Sequence, residues 1–233
     1  MTNISIIIPA LNEAGNIHKL VHDVMATIPA QVIVVDNGST DETAVEAQSA
    51  GAHVIFEPRR GYGFACAAGI AAVDGAEAIV FIDGDCSFLP SELTVILGPL
   101  LGDKADLVLG SRRLGKMEKG SMPVHQRFGN WLVSRIVSLI YGLDLTDIGP
   151  YRAIKSSLVL GLGMREMTYG WPVEMIAKAA QKKARIVEVP VSYRTRRSGR
   201  SKVGGTLRGT LLAAWFLFGV TLRYARGREV EDR

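Results

Sequence analysis

Short apolar runs alternate with segments of helical periodicity through the first half of the chain. The apolar runs predict five strands, at residues 4–8, 32–35, 53–56, 78–82 and 106–109. The segments between them predict four helices, at 14–27, from residue 40 onward, at 61–73 and at 91–101. Strands that alternate with helices are typical of a mostly parallel sheet flanked by helices. We therefore expect an α/β fold.

The second half of the chain is less regular. Residues 127–141 predict an amphipathic helix, with one side formed by Phe128, Trp131, Leu132, Ile136 and Leu139. A further helix is predicted at 172–181. Residues 185–193 predict a strand or hairpin arm that is interrupted by Pro190.

The last apolar run, residues 209–222, contains 14 residues, fewer than the ~20 that a membrane-spanning helix needs. Its aromatic residues and flanking arginines are typical of a helix that lies in the lipid headgroup region. The alternative is a helix that packs in the core or in a homodimer interface.

Composition and the N-terminus narrow the class of protein. The formal net charge of +4 is too small to indicate nucleic-acid binding. The N-terminus lacks the basic region of a signal peptide and runs directly into the first predicted strand. The two cysteines indicate neither a disulfide framework nor a zinc cluster. These features favour a cytoplasmic protein without a nucleic-acid partner.

Acidic residues cluster where three predicted strands end, at residues 9–13, 36–41 and 83–85. The carboxyl ends of parallel strands share one edge of a sheet, where open α/β folds bind ligands. Asp83 and Asp85 are two positions apart, so their side chains point to the same side of an extended chain. They repel each other unless a cation lies between them. The sequence predicts a divalent-metal site that also binds phosphate, with a solvated turn as the alternative.

Two common nucleotide-binding loops are absent from the sequence. No Gly-x-Gly-x-x-Gly turn follows the first strand, and there is no P-loop. The segment Gly61-Tyr62-Gly63 follows the third strand and lacks a third glycine. A nucleotide would therefore be held through carboxylates and a metal rather than by a glycine-rich loop.

Seven segments, in the expected order, resemble the family 2 inverting glycosyltransferases, which have the GT-A fold. They are "SIIIPALNE", "VIVVDNGSTDET", "GYGFACAAGI", "IVFIDGDCSFLP", "LVLGSR", "TDIGPYRAI" and "RSGRSKVGG". The resemblance extends from residue 4 to about residue 206. The chain is most similar to the branch that transfers mannose or glucose to dolichyl or polyprenyl phosphate.

The resemblance implies a nucleotide-binding site formed by Pro9, Ala10, Glu13, Asp36 and Asp83. Asp36 would accept a hydrogen bond from the base or the ribose, and Asp83 would contact the ribose and the metal region. The implied donor is a nucleotide sugar, either GDP-mannose or UDP-glucose, and the sequence does not choose between them.

The resemblance also implies a metal site at Asp83 and Asp85, with Asp85 as a catalytic residue and a ligand of Mg²⁺ or Mn²⁺. Carboxylate oxygens suit hard divalent cations, and the ion would stabilise charge on the leaving nucleoside diphosphate. Ser87 stands where one version of the family has a glutamine that helps to hold the metal. A water would take that place here.

Basic residues are implied around the acceptor. Those expected to bind an acceptor phosphate are Arg112, Arg127, Arg194, Arg200 and Lys202. Arginine offers bidentate hydrogen bonds to phosphate, and an ionised phosphate is a nucleophile that needs no base. Arg152 and Asp147 are the other implied catalytic residues. Asp147 is the candidate base for a hydroxyl acceptor, or else it orients Arg152 or the acceptor loop.

The implied protein is thus a metal-dependent hexosyltransferase that acts on polyprenyl phosphate, peripherally, at the cytoplasmic face of a membrane. The alternatives are transfer to a soluble hydroxyl acceptor with Asp147 as base, a nucleotidyltransferase, and a membrane-peripheral binding module without turnover. The expected GT-A domain covers residues 1–203, divided into a nucleotide-binding half, 1–115, and an acceptor-binding half, 116–203. An interfacial or packing helix at 204–225 and a tail at 226–233 would follow.

Overall fold

A computed structural model describes residues 3–198 of the chain and, apart from them, Gly219. Within residues 3–198, seven strands form one sheet in the order β3-β2-β1-β4-β6-β5-β7. The strands are β1 (Ile4–Ala10), β2 (Gln31–Asp36), β3 (His53–Phe56), β4 (Ala78–Phe81), β5 (Leu107–Ser111), β6 (Arg152–Lys155) and β7 (Ile186–Pro190).

Strand β6 runs antiparallel to both of its neighbours, β4 and β5, whereas the other neighbouring pairs are parallel. Because β4 and β5 both oppose β6, they run in the same direction as β1 and β2. The segments that follow these four strands therefore leave the sheet at one edge, which is the edge where α/β sheets bind ligands.

Helices cover both faces of the sheet. Strand β1 shows why, because Ile6 and Ile8 point into one apolar core and Ile7 into the other. Helices α1, α2 and α4 contribute to the first core, and α3, α5, α6 and α7 to the second. The helices are α1 (Ala14–Thr27), α2 (Thr43–Ser49), α3 (Tyr62–Ala71), α4 (Leu93–Leu101), α5 (Val124–Tyr141), α6 (Ser156–Gly161) and α7 (Trp171–Gln181).

The predicted α/β fold with a mostly parallel sheet is confirmed. The elements that periodicity predicts are present, with ends that differ by up to three residues. Strand β6 and helix α6 are not predicted, because four and six residues are too few to show a period. Hydrogen bonds to β4 and β5 define β6 instead. The predicted helix at 204–225 and the tail at 226–233 lie outside residues 3–198.

Helix α5 turns its apolar side outward. Its buried face consists of Val133, Ser134, Val137 and Ser138. The exposed side carries what we call the α5 apolar stripe, namely Val124, Phe128, Trp131, Leu132 and Leu139. These residues recur at helical spacing, and exposed apolar patches of this kind mark interaction surfaces. Of the helices in the described part of the chain, none has the length and hydrophobicity to cross a bilayer.

Helix α3 approaches another backbone segment at Gly63. A Cβ atom at this position would lie 2.3 Å from the carbonyl oxygen of Glu166 and 2.5 Å from Cα of Met167. The amide of Phe64 also donates to the carbonyl of Met167, at 3.3 Å. Only a glycine leaves room for this contact, which holds the segment before α7 against the start of α3.

We expect Gly63→Ala to lower the free energy of unfolding by roughly 1–3 kcal/mol, because the added methyl group meets backbone that cannot rotate away. Gly129→Ala in α5 is the matched control, since among the described residues a Cβ there meets no atom within 4 Å outside its chain neighbours and its own helix backbone. That substitution should stabilise the helix by about 0.5–1 kcal/mol. Thermal unfolding of both variants checks the prediction, and equal melting temperatures would contradict it.

Candidate active site

A cavity of about 380 Å³ opens at the edge of the sheet where β1, β2 and β4 end. We call it the acidic cavity, because Glu13, Asp83 and Asp85 line it. Its other lining residues are Pro9, Ala10, Leu11, Asn37, Arg60, Gly61, Tyr62, Ala65, Gly84, Thr168, Tyr169 and Arg196. The structure thus brings together five of the residues that the sequence nominates, Pro9, Ala10, Glu13, Asp83 and Asp85.

Asp83 and Asp85 follow β4 and enter the cavity together. Burial, and then the negative charge of Asp85, raise the pKa of Asp83 to about 7. Arg196 is the strongest of the arginines that act in the opposite direction. Because a buried and a half-buried carboxylate repel each other here, a cation that binds between them gains free energy from both.

The chemistry of these two side chains fits a hard divalent cation, which prefers carboxylate oxygens. Among the described residues, no group of three or more His, Cys, Asp or Glu side chains could hold a metal ion alone. The remaining ligands would be waters and the phosphate oxygens of a bound ligand, as is usual for Mg²⁺. The site therefore fits a metal that binds together with a phosphorylated ligand.

Asp85 is buried and both of its carboxylate oxygens have partners. Oδ1 accepts hydrogen bonds from the amide of Ser87, at 3.0 Å, and from the Ser87 hydroxyl. Oδ2 lies 2.8 Å from the guanidinium of Arg196, which also reaches Oε1 of Glu13 at 3.3 Å. Ser87 thus orients Asp85, and Arg196 bridges two acids of the cavity.

Asp36 differs from the expectation. It is buried beneath the turn that follows β2, where Oδ1 accepts the amide of Ser39 at 2.9 Å, and it does not line the acidic cavity. The next residue, Asn37, lines the cavity instead. Its side chain accepts the amide of Gly61 at 2.9 Å and donates to the carbonyl of Arg59 at 2.7 Å. Asn37 therefore joins the ends of β2 and β3.

Sequence reasoning missed several lining residues. From the sequence, Arg196 is expected to be a solvated charge in a basic segment. Tyr169 is expected to pack in the core or to line the acceptor site. Tyr62 lies within the segment Gly61-Tyr62-Gly63, which lacks the third glycine of a dinucleotide-binding turn. No local pattern marks these three residues, because they come from distant parts of the chain and meet only in the fold.

A second cavity, of about 280 Å³, lies beside the end of β5. We call it the basic cavity, because three arginines line it, Arg112, Arg113 and Arg127. The other lining residues are Met117, Met122, Asn130, Trp131, Thr146 and Asp147. Arg112, Arg127 and Asp147, which the sequence assigns to the acceptor, thus share one site.

Asp147 is buried and its carboxylate is fully engaged. Oδ2 accepts hydrogen bonds from the amide and Nε of Arg112, both at 2.7 Å. Oδ1 accepts from the Arg112 guanidinium at 2.7 Å and from the side-chain amide of Asn130 at 2.6 Å. Burial alone would raise the pKa of Asp147, but the charge and hydrogen bonds of Arg112 hold it below its usual value.

The remaining acceptor candidates do not line either cavity in the described part of the chain. Arg152 is 1% exposed, and its guanidinium donates to backbone carbonyls beneath the site. Arg194 is exposed, and its amide pairs with the carbonyl of Ser87 at 2.9 Å. Direct phosphate contact by these two side chains is therefore not supported. Arg200 and Lys202 lie outside the described residues.

Comparison with known proteins identifies the fold that carries these cavities. The family model described as Glycosyl transferase family 2 matches residues 5–160, which is more than half of the chain. The chain belongs to this family. The matched range includes Asp83 and Asp85 of the acidic cavity and Arg112, Arg127 and Asp147 of the basic cavity.

Three similar proteins support the assignment of this chain to the glycosyltransferase family. An uncharacterized glycosyltransferase of Mycobacterium tuberculosis is 38% identical over 213 residues, covering 90% of this chain and 94% of the relative. The undecaprenyl-phosphate mannosyltransferase of Micrococcus luteus is 30% identical over 231 residues, covering 94% of each. Glucosyl-3-phosphoglycerate synthase from M. tuberculosis superimposes with a TM-score of 0.78 at 22% identity, covering 97% of this chain and 80% of that chain. This last similarity confirms the GT-A fold.

In this glycosyltransferase, Arg196 pairs with Oδ2 of Asp85 and would compete with a cation that binds there. We therefore expect Arg196→Ala to bind Mn²⁺ alone more tightly, by up to about fivefold, since a partly exposed ion pair contributes about 1 kcal/mol. Arg197→Ala is the control, because it removes the same charge from an exposed neighbour. Titration with Mn²⁺ by electron paramagnetic resonance measures both affinities. Equal affinities in the two variants would mean that Arg196 does not compete with the metal.

Proposed function

We propose that this glycosyltransferase moves a hexose from a nucleotide sugar, GDP-mannose or UDP-glucose, to a polyprenyl phosphate, with inversion at the anomeric carbon. One observation carries the choice of acceptor. Both carboxylate oxygens of Asp147 already accept hydrogen bonds from Arg112 and Asn130. A carboxylate held in this way is a poor base, and an acceptor phosphate needs none.

The acidic cavity would bind the donor. Pro9, Ala10 and Asn37 would line the nucleoside end, and Asp83 and Asp85 would hold Mg²⁺ or Mn²⁺ against the diphosphate. The metal would neutralise charge on the leaving nucleoside diphosphate. The synthase of M. tuberculosis with the same fold has been crystallised with Mn²⁺ and UDP-glucose, which supports the acidic cavity as the donor site.

The basic cavity would bind the acceptor phosphate. Arg127 is exposed at the cavity, where its guanidinium is available for bidentate hydrogen bonds to phosphate. Asp147 fixes the guanidinium of Arg112 from behind, so that a positive group is held at the cavity wall. In this scheme Asp147 is a positioning residue, and the phosphate oxygen attacks the sugar in a single displacement.

Two further observations favour a lipid acceptor. The relative from Micrococcus luteus is an undecaprenyl-phosphate mannosyltransferase, and its similarity covers 94% of this chain. The α5 apolar stripe also reaches the basic cavity, because Trp131 belongs to both. A phosphate head group could enter the cavity while the polyprenyl chain follows the stripe. Arg135 lies exposed along the same side of α5 and would favour anionic lipid.

The direct test is to incubate the purified protein with GDP-mannose or UDP-glucose, Mn²⁺ and a short polyprenyl phosphate. We expect a hexosyl phosphoryl polyprenol by mass spectrometry, together with one nucleoside diphosphate per product. Chelation of the metal should stop the reaction, because the diphosphate loses its counter-charge. Release of pyrophosphate, or transfer only to a soluble hydroxyl acceptor, would contradict the proposal.

In the same assay, Asp147→Asn separates a positioning role from that of a base. An asparagine oxygen can still accept from Arg112, so we expect a loss of about tenfold, since a charge-assisted hydrogen bond of about 1.5–3 kcal/mol is replaced by a neutral one of about 0.5–1.5 kcal/mol. Loss of a general base would instead cost ~10²–10⁴-fold. Asp144→Asn, an exposed neighbour in the same segment, is the control. Near-complete loss in a folded Asp147→Asn variant would favour a hydroxyl acceptor.

Membrane contact through α5 gives a separate prediction. Phe128→Gln combined with Leu139→Gln should weaken binding to phosphatidylglycerol vesicles by about tenfold or more, because burying one such side chain contributes about 1.5–3 kcal/mol. The control combines Val45→Gln with Leu160→Gln, which are equally exposed apolar residues on α2 and α6. Flotation of each variant with vesicles measures binding. If the two double variants bind the vesicles equally, α5 is not the membrane contact, and the predicted helix at 204–225 becomes the candidate.

A further inference from the structure

Arg152 occupies the middle of the sheet, between the strands that lead to the two cavities. It begins β6, where it pairs with Phe81 of β4 and Leu109 of β5. Asp83 follows Phe81 by two residues, and Arg112 follows Leu109 by three. The side chain of Arg152 is 1% exposed, so it acts from beneath the site and not from within either cavity.

The hydrogen bonds of the Arg152 guanidinium go to neutral groups, while the carboxylates of Asp83 and Asp147 attract it from farther away. It donates to the carbonyl of Pro172 at 3.0 Å and to the carbonyl of Gly149, and it contacts Sδ of Met175 at 3.7 Å. Within residues 3–198, no carboxylate forms an ion pair with it. A buried charge without a paired counter-charge is costly, and an apolar residue of similar volume is often at least as stable. Stability alone does not account for an arginine here.

The two carbonyls belong to the two segments that build the cavities. Gly149 ends what we call the acceptor loop, residues 146–149, which supplies Thr146 and Asp147 to the basic cavity. A Cβ atom at Gly149 would lie 3.7 Å from Oδ2 of Asp147 and 3.8 Å from Nε of Arg112, so the loop backbone passes beside this ion pair. Pro172 ends what we call the donor wall, residues 168–172, which supplies Thr168 and Tyr169 to the acidic cavity.

We propose that Arg152 is a positioning residue that sets the acceptor loop at a fixed distance from the donor wall. The inference rests on the proposed function, since it concerns the alignment of donor and acceptor. A displacement at the anomeric carbon requires the attacking oxygen in line with the leaving group, and misplacement by about 1 Å can cost about 10²-fold in rate. One rigid side chain bonded to both segments supplies such a constraint.

The shape of the side chain explains why arginine suits this place. The planar guanidinium directs two different nitrogens at two carbonyls from a fixed fork. A lysine would keep the positive charge, but its single ammonium nitrogen cannot hold that fork geometry. Arg152→Lys therefore separates charge from geometry, and Arg152→Met removes both while keeping much of the buried volume.

The experiment compares Arg152→Lys and Arg152→Met with Ile154→Val, a buried control two residues along the same strand and in the same core. The control removes one buried methyl group from this core and is expected to keep its turnover unchanged. For both Arg152 variants we expect the single-turnover rate of transfer to fall between tenfold and 100-fold. The dissociation constants for the nucleoside diphosphate and for the polyprenyl phosphate should change less than threefold.

The ratio of donor hydrolysis to transfer gives a second measure of whether the acceptor is misaligned with the donor. Water should compete better for the donor when the acceptor oxygen is displaced, so the ratio of donor hydrolysis to transfer should rise in both Arg152 variants and not in Ile154→Val. Transfer and hydrolysis that are unchanged in folded Arg152→Lys would overturn the inference. So would a fall in rate that is fully explained by weaker binding of either substrate. If the wild-type protein itself forms no lipid product, the proposed function fails first.

Discussion

The placement of one short antiparallel strand determines how the rest of the site is built. Strand β6 separates β4 from β5 and forces both to run in the same direction. Neighbouring strands lie about 4.8 Å apart, so the strands that lead to Asp83 and Arg112 are about 10 Å apart at the same edge. The acidic and basic cavities therefore open side by side, at a separation that the proposed transfer from one to the other requires.

The two cavities differ in how they handle charge. In the acidic cavity the carboxylates of Asp83 and Asp85 remain close to each other, and Arg196 provides a cation from a distant segment. In the basic cavity Asp147 is neutralised by Arg112, which leaves the wall positive. One cavity thus suits a cation and the other suits an anion. This opposition is what the proposed reaction requires, in which a metal-bound diphosphate donor meets a phosphate acceptor.

Much of this arrangement could be predicted from the sequence. The features that could not be predicted all depend on tertiary packing. Helix α1 lies where its periodicity predicts it, and Asp83 and Asp85 line a cavity at the predicted edge of the sheet. Arg152 was expected at the acceptor, but its burial depends on packing of β6 against α7 that no local pattern records. The same holds for Asp36, since the twist of one turn decides that Asn37 faces the cavity instead.

By itself, the sequence determined the α/β fold, the family and the acidic site, because hydrophobic periodicity and short motifs after strands are local properties of the chain. The amphipathic character of α5 is likewise set by the order of residues along the chain. Tertiary structure alone decided that its apolar side faces outward, that Asp147 is held by Arg112, and that Arg196 reaches Asp85. These outcomes depend on which distant segments meet, and the free energy of such contacts is set by three-dimensional packing and burial rather than by neighbours along the chain.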